Sequence, residues 1–205
     1  VRELFVSDGT ASGTQLVMNI FDCPLSAGDI TFDYDGVNSL VVLPGSSFGS
    51  AGQDRVVFSA FHCSLTNYVC FGEEPWISDG TLSGTRSMAD IRNGDTPMNT
   101  QDGQGVLIDD VGSQPRSFFQ SGNMVYFFAD DNNSGRELWK IDTSRASSGA
   151  TLVKDINSGA GDSMELETET EYINLNENIF FSADNGNNGN ELWKTNGFGL
   201  GTTMV

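Results

Sequence analysis

The chain has 205 residues, with ten Lys and Arg against 28 Asp and Glu, for a formal net charge of −18. A surface that negative repels phosphate backbones and anionic membrane surfaces, which speaks against nucleic acid as a partner. No apolar run reaches the roughly 18 residues of a membrane-spanning helix, so membrane insertion is not expected.

In chain order, one short pattern begins four times: Glu3-Leu4-Phe5, Glu74-Pro75-Trp76, Glu137-Leu138-Trp139 and Glu191-Leu192-Trp193. After each comes a polar turn and a second apolar pair, Leu16-Val17, Ser87-Met88, Leu152-Val153 and Met204-Val205. Self-similarity at a period of tens of residues marks stacked units that share a core. The copies divide one repeat domain, 1–205, into repeats 3–73, 74–136 and 137–190 and a partial repeat 191–205.

In the first repeat the strand at Leu4-Phe5 runs into Ser7-Asp8-Gly9-Thr10, whose Asp-Gly step supplies the positive φ of a tight hairpin. Strands are expected next at Leu40-Val41-Val42-Leu43 and Val56-Val57-Phe58. His62 is the chain's only histidine, and its neighbour Cys63 would point to the opposite face of an extended segment, so the two form no local Cys-His pair. Cys63 and Cys70 flank an insertion at 64–69, and a disulfide across it is expected because hairpin stems lie close together. Cys23 is left to pair elsewhere or stay buried.

The second repeat carries the turn Ser78-Asp79-Gly80-Thr81 and strands at Phe118-Phe119 and Met124-Val125-Tyr126-Phe127-Phe128. Its last loop places Asp130, Asn132 and Ser134 at alternate positions, followed by Gly135, as at the opening of a Ca2+ loop. Ile141 stands where such a loop has its bidentate Glu, so Glu137 or a backbone carbonyl would close the shell. The competing reading is an Asn, Asp and Gly turn whose side chains cap their own backbone. Asn132-Asn133-Ser134 is also a glycosylation sequon, which suits an extracellular setting.

The third repeat has strands at Tyr172-Ile173-Asn174-Leu175 and Ile179-Phe180-Phe181, then a second candidate Ca2+ loop with Asp184, Asn188 and Glu191. Glu165, Glu167, Glu169 and Glu171 alternate. They read as a solvated edge that discourages strand addition, since nothing positions a glycoside between them. No segment has the three-four spacing of an amphipathic helix. The expected fold is therefore all-β and β-propeller-like, built of four-stranded antiparallel blades, about three full repeats plus a partial one. A sandwich would not repeat a motif at matching positions. The chain opens and closes on the first strand pair of a unit, and propellers need about four to eight blades, so a piece of a longer protein is expected. Phe5, Trp76, Trp139 and Trp193 suit either a sugar platform or packing between sheets, and their regular recurrence favours packing.

Glu137-Leu138-Trp139-Lys140 with Leu152-Val153-Lys154-Asp155-Ile156, and Ser78-Asp79-Gly80-Thr81 with Gly84-Thr85, closely resemble the unit of the ELWxxDGT-repeat proteins. Phe127-Phe128-Ala129-Asp130 and Phe180-Phe181-Ser182-Ala183-Asp184 resemble that family's aromatic strand and acidic loop. Phe5 in place of Trp, Pro75 in place of Leu, and Asp142-Thr143-Ser144 in place of the Asp-Gly turn depart from it. The resemblance implies a secreted or cell-surface protein with a propeller-like fold. The function expected is a structural or adhesive module, not an enzyme, that assembles with other protein subunits or copies of itself, with Ca2+ stiffening some loops. A lectin-like module binding surface glycans is the alternative.

Overall fold

The computed structural model describes residues 3–20, 37–45, 54–64, 69–93, 96–97, 112–145, 149–166 and 170–205. Among these residues the protein is all-β, with four antiparallel sheets. The first pairs β1 (Leu4–Val6) with β2 (Gln15–Met18). The second runs β3 (Val37–Leu43), β4 (Arg55–Ser64), β5 (Val69–Ser78), β6 (Arg86–Ser87), with β7 (Thr96–Pro97) beside the start of β5. The third is the meander β8 (Arg116–Ser121), β9 (Met124–Asp130), β10 (Arg136–Asp142), β11 (Thr151–Lys154). The fourth is β12 (Ile173–Leu175), β13 (Asn178–Asp184), β14 (Asn190–Thr195), β15 (Thr203–Met204).

The Glu-aromatic motif lies in the third strand of each four-stranded meander, at β5, β10 and β14. Each of these sheets takes its first two strands from the end of one sequence repeat and its last two from the start of the next. The hairpin between β4 and β5 is longer than the apolar run at Val56-Val57-Phe58 suggests. Pairing continues past that core to Ser64 and Val69, and puts Cys63 and Cys70 opposite one another in the ladder.

Strand alternation sends successive side chains to opposite faces, and both faces of the second and third sheets are apolar. On β9, Val125, Phe127 and Ala129 pack with Leu43, Val57 and Ile77 of the second sheet. Tyr126 and Phe128 on the same strand pack with Ile179, Phe181 and Trp193 of the fourth. A third layer joins Leu4, Val17 and Ile20 of the first sheet region to Phe58, Ala60 and Trp76 of the second. The core is thus three layers, each between consecutive sheets, and each fully buried Phe in them contributes about 1.5–3 kcal/mol relative to exposure. Trp76 and Trp193 both face the preceding sheet, and Trp139 also packs on the layer shared with the sheet before it.

Backbone hydrogen bonds stitch neighbouring sheets together. The residue after Ser113, Gln114, donates its N–H to the Glu73 carbonyl at 2.9 Å, while the Ser113 carbonyl accepts Asp130 N–H at 2.9 Å. Ser163 repeats the arrangement fifty residues on, donating to the Arg136 carbonyl and accepting from Asp184, both at 2.9 Å.

The polar turns also repeat atom for atom. The hydroxyl pairs Ser7 and Thr14, Ser78 and Thr85, and Thr195 and Thr202 each sit 2.7 Å apart. Asp8, Asp79 and Asn196 each accept, at Oδ1, the N–H two residues ahead. These turns hold the Asp8 and Asp79 carboxyls below the usual range, through the hydroxyl and N–H of Thr10 and Thr81. Gly80 adopts φ 84°, the left-handed region that favours glycine. The second glycine serves a different need: a Cβ on Gly84 would lie 1.9 Å from Asp79 Oδ1.

Candidate functional site

The glutamate that opens each of the first three motifs is a brace. Glu137 is fully buried, and its two oxygens accept Ile156 N–H at 2.7 Å and Asn157 N–H at 3.0 Å. Glu74 accepts Ile91 N–H at 3.1 Å, Arg92 N–H at 3.3 Å, and both the N–H and hydroxyl of Ser113, at 3.0 and 2.6 Å. Glu3 accepts Ile20 N–H at 2.9 Å. Each brace therefore ties the strand that carries the motif to the chain leaving the strand paired after it, and Glu74 reaches the connector to the next sheet as well. Burial pushes the Glu74 and Glu137 carboxyls up to about 7, against the pull of these donors. A sequence signal existed for the brace: an isoleucine follows the glutamate at 17, 17 and 19 positions.

Strand alternation and pairing carry the Glu137 carboxylate into the interior, where backbone donors take both oxygens. Asp130 is engaged too: Oδ1 accepts Asn132 N–H at 2.7 Å, and Oδ2 forms an ion pair with Arg92 at 3.0 Å. Asp131 Oδ1 accepts the N–H groups of Asn133 and Ser134. In the second loop Asp184 accepts Gly186 N–H at 2.7 Å, and Asn185 accepts from Asn187 and Asn188. Asn188 Oδ1 in turn accepts from the Asn185 amide, while Glu191 is exposed at the start of β14. Both loops thus cap their own backbone, as short Asx-rich turns do. Among the described residues no group of three or more His, Cys, Asp or Glu gathers in a way that could hold a metal ion.

Asn132, the sequon residue, is exposed at the tip of its loop with φ 66°. Cys63 and Cys70 are cross-strand partners, and Cys23 lies outside the described residues. His62 stacks on Phe71 at 5.3 Å between ring centres, with Trp76 edge-on at 5.3 Å. Of the acidic alternation, Glu167 and Glu169 lie outside the described residues, while Glu165 and Glu171 line a polar cavity of about 280 Å³ with Asp162 and Asp184. Trp76 and Trp193 are buried between sheets, as packing requires, and Phe5 is exposed.

A charged seam crosses from the second sheet to the third. Arg116 forms a bidentate pair with Glu73, Nη1 to Oε1 at 2.8 Å and Nη2 to Oε2 at 3.0 Å, and Ser59 donates to Oε1 at 2.6 Å. Arg136, buried beside it, donates to the Gln114 carbonyl at 2.6 Å. Burial lowers its pKa, partly offset by Asp162 and Asp130. From the third sheet to the fourth, the Lys140 ammonium donates to the Gly197 carbonyl at 2.6 Å and lies 4.5 Å from the centre of the Phe198 ring. The polar turn of one sheet is therefore seated on the third strand of the sheet before it.

No protein-family model matches the chain, and neither the curated proteins nor the solved structures contain a match.

Proposed function

We propose that the sheets are successive blades of a propeller-type stack, and that the protein is an extracellular structural or adhesive module joining other protein subunits or copies of itself. One observation carries this reading: the third sheet buries both faces against its neighbours and the second does so except at Leu40 and Val42, whereas the outer faces of the first and fourth sheets present apolar side chains to solvent. A unit that stacks internally and leaves stacking faces at its ends is suited to assembly. The resemblance to ELWxxDGT-repeat proteins supports a surface or secreted setting. So does the register of Cys63 and Cys70, which suits a disulfide in an oxidising compartment.

The test is the molar mass of the native protein by light scattering, over a range of concentration, with millimolar calcium and with chelator. Mass rising above 22.1 kDa supports assembly. A rise confined to the calcium arm would assign the cation a bracing role at the Asp130 and Asp184 loops. A monomer throughout, retained instead on a glycan array, would replace this reading with carbohydrate binding. Intact mass after alkylation without reductant counts free thiols, and three labels would dispose of the disulfide.

A further inference from the structure

The stack has a direction. In every described layer the Trp of the Glu-aromatic motif faces the preceding sheet, and the alternate residues of the same strand face the following one. Among the described residues two faces of opposite sense are left uncovered. On the first sheet, Phe5 stands where Trp76 and Trp193 stand, and pairs with Leu16; it is 59% exposed, against 3% and 6% for the two tryptophans. On the fourth sheet, Leu192, Phe180 and Lys194 occupy the positions of Leu138, Tyr126 and Lys140, and Ile173 flanks them across the ladder from Phe180. Leu138 is fully buried and Tyr126 is 5% exposed because the fourth sheet covers them, whereas Leu192 is 52% exposed.

The covered face also shows what such a face takes. The turn at Gly197-Phe198 sits on it, with Gly197 close against the Tyr126 hydroxyl and its carbonyl accepting from Lys140. Between the first and second sheets the Gly80 turn comes up to Val6, which holds the Lys140 position, at 3.8 Å from where a Cβ would be. The Gly9 turn of the first sheet has the same hydroxyl pair and the same left-handed glycine, and its Gly9 meets nothing within 4 Å.

We propose that a second copy of this chain docks its first sheet, through Phe5, Leu16 and the Gly9 turn, on the Leu192, Phe180 and Lys194 face of the fourth sheet. The occupant is argued from the internal interface: the fourth sheet's open face carries side chains at positions that this chain already covers with a sheet of its own kind. The contact is heterologous, so repetition closes a ring or extends a filament. Ser182 replaces Phe128 on the open face, making it less apolar than its internal counterpart. With a charge of −18 on each copy, association strengthens as added salt screens the repulsion.

This inference rests on the assembly reading, and the test separates the two. Molar mass is measured at high salt for the full chain, for Phe5→Glu, for Leu192→Glu, and for an equimolar mixture of the two variants, with circular dichroism confirming that each remains folded. Both positions are exposed, so neither change enters the core. Head-to-tail docking predicts loss of association to 22.1 kDa in each variant alone and recovery of twice that mass on mixing, because one intact face remains on each partner. Wild-type association that neither variant reduces overturns this interface and leaves the assembly reading standing. Association lost in only one variant overturns the head-to-tail pairing in favour of contact between two like faces. A wild-type monomer at every concentration and salt overturns both.

Discussion

The third and fourth sheets carry nearly the same residues and live in different surroundings. β10 reads Glu137-Leu138-Trp139-Lys140 and β14 reads Glu191-Leu192-Trp193-Lys194, yet Glu137 and Leu138 are fully buried while Glu191 and Leu192 are exposed. The two tryptophans differ less, because each of those strands has a sheet on its preceding side. A residue's burial in this architecture is a property of the neighbouring sheet, and a motif written identically twice can act as core once and as surface once.

Substitutions at matched positions sharpen that contrast. Leu138→Ala should cost about 2–5 kcal/mol in denaturant unfolding, the range for truncating a packed leucine. Leu192→Ala in the dilute monomer should change stability by no more than about 0.5 kcal/mol. Equal losses would mean that the fourth sheet's outer face is covered within one copy. Next in size is the glutamate pair. Glu137→Ala leaves the Ile156 and Asn157 N–H groups without their acceptor, at about 1–3 kcal/mol for each buried donor. Glu191→Ala should be close to silent in the same measurement.

Much of this was legible in the sequence, and the part that was not has a physical cause. The Asp-Gly and Asn-Gly turns announced the hairpins, and the apolar runs around Val57, Phe127 and Phe181 marked the inner strands. The acidic loop at Asp130 invited a cation reading because its oxygens are closely spaced. Spacing alone does not say how carboxylates are oriented, and here Asp130 and Asp131 each accept N–H groups of their own turn. Glu137 follows that loop by two positions past Gly135, yet its partners lie 19 and 20 residues further on. Only the strand register carries it away from the loop. Which faces were covered was hidden for a similar reason, since Leu138 and Leu192 sit in the same four-residue word.

The hydroxyl pairs offer a finer comparison. Ser78 and Thr85 are buried, whereas Ser7 and Thr14 make the same 2.7 Å contact in an exposed turn. Ser78→Ala should therefore cost about 1 kcal/mol or somewhat more, and Ser7→Ala markedly less, both read from the unfolding midpoint. The same buried glutamates also set a pH dependence. Burial raises the Glu74 and Glu137 carboxyls to about 7, above their ordinary value of 4.5. The folded chain then holds protons that the unfolded chain has released between those values. The stability from this source is full below 4.5 and is lost as pH rises through 7. Melting temperature should drift down between roughly pH 5 and 8. Glu74→Gln with Glu137→Gln should flatten that drift.

The glutamate braces also bear on how the chain is made. Each reaches a partner only 17 to 19 residues downstream, and the strands of each sheet follow one another directly in the chain. Contacts this local close soon after the segment emerges from the ribosome and lose little loop entropy, which favours rapid folding for a chain made of strands. Each sheet can then template the next in the order of synthesis, so the direction of translation and the direction of the stack coincide.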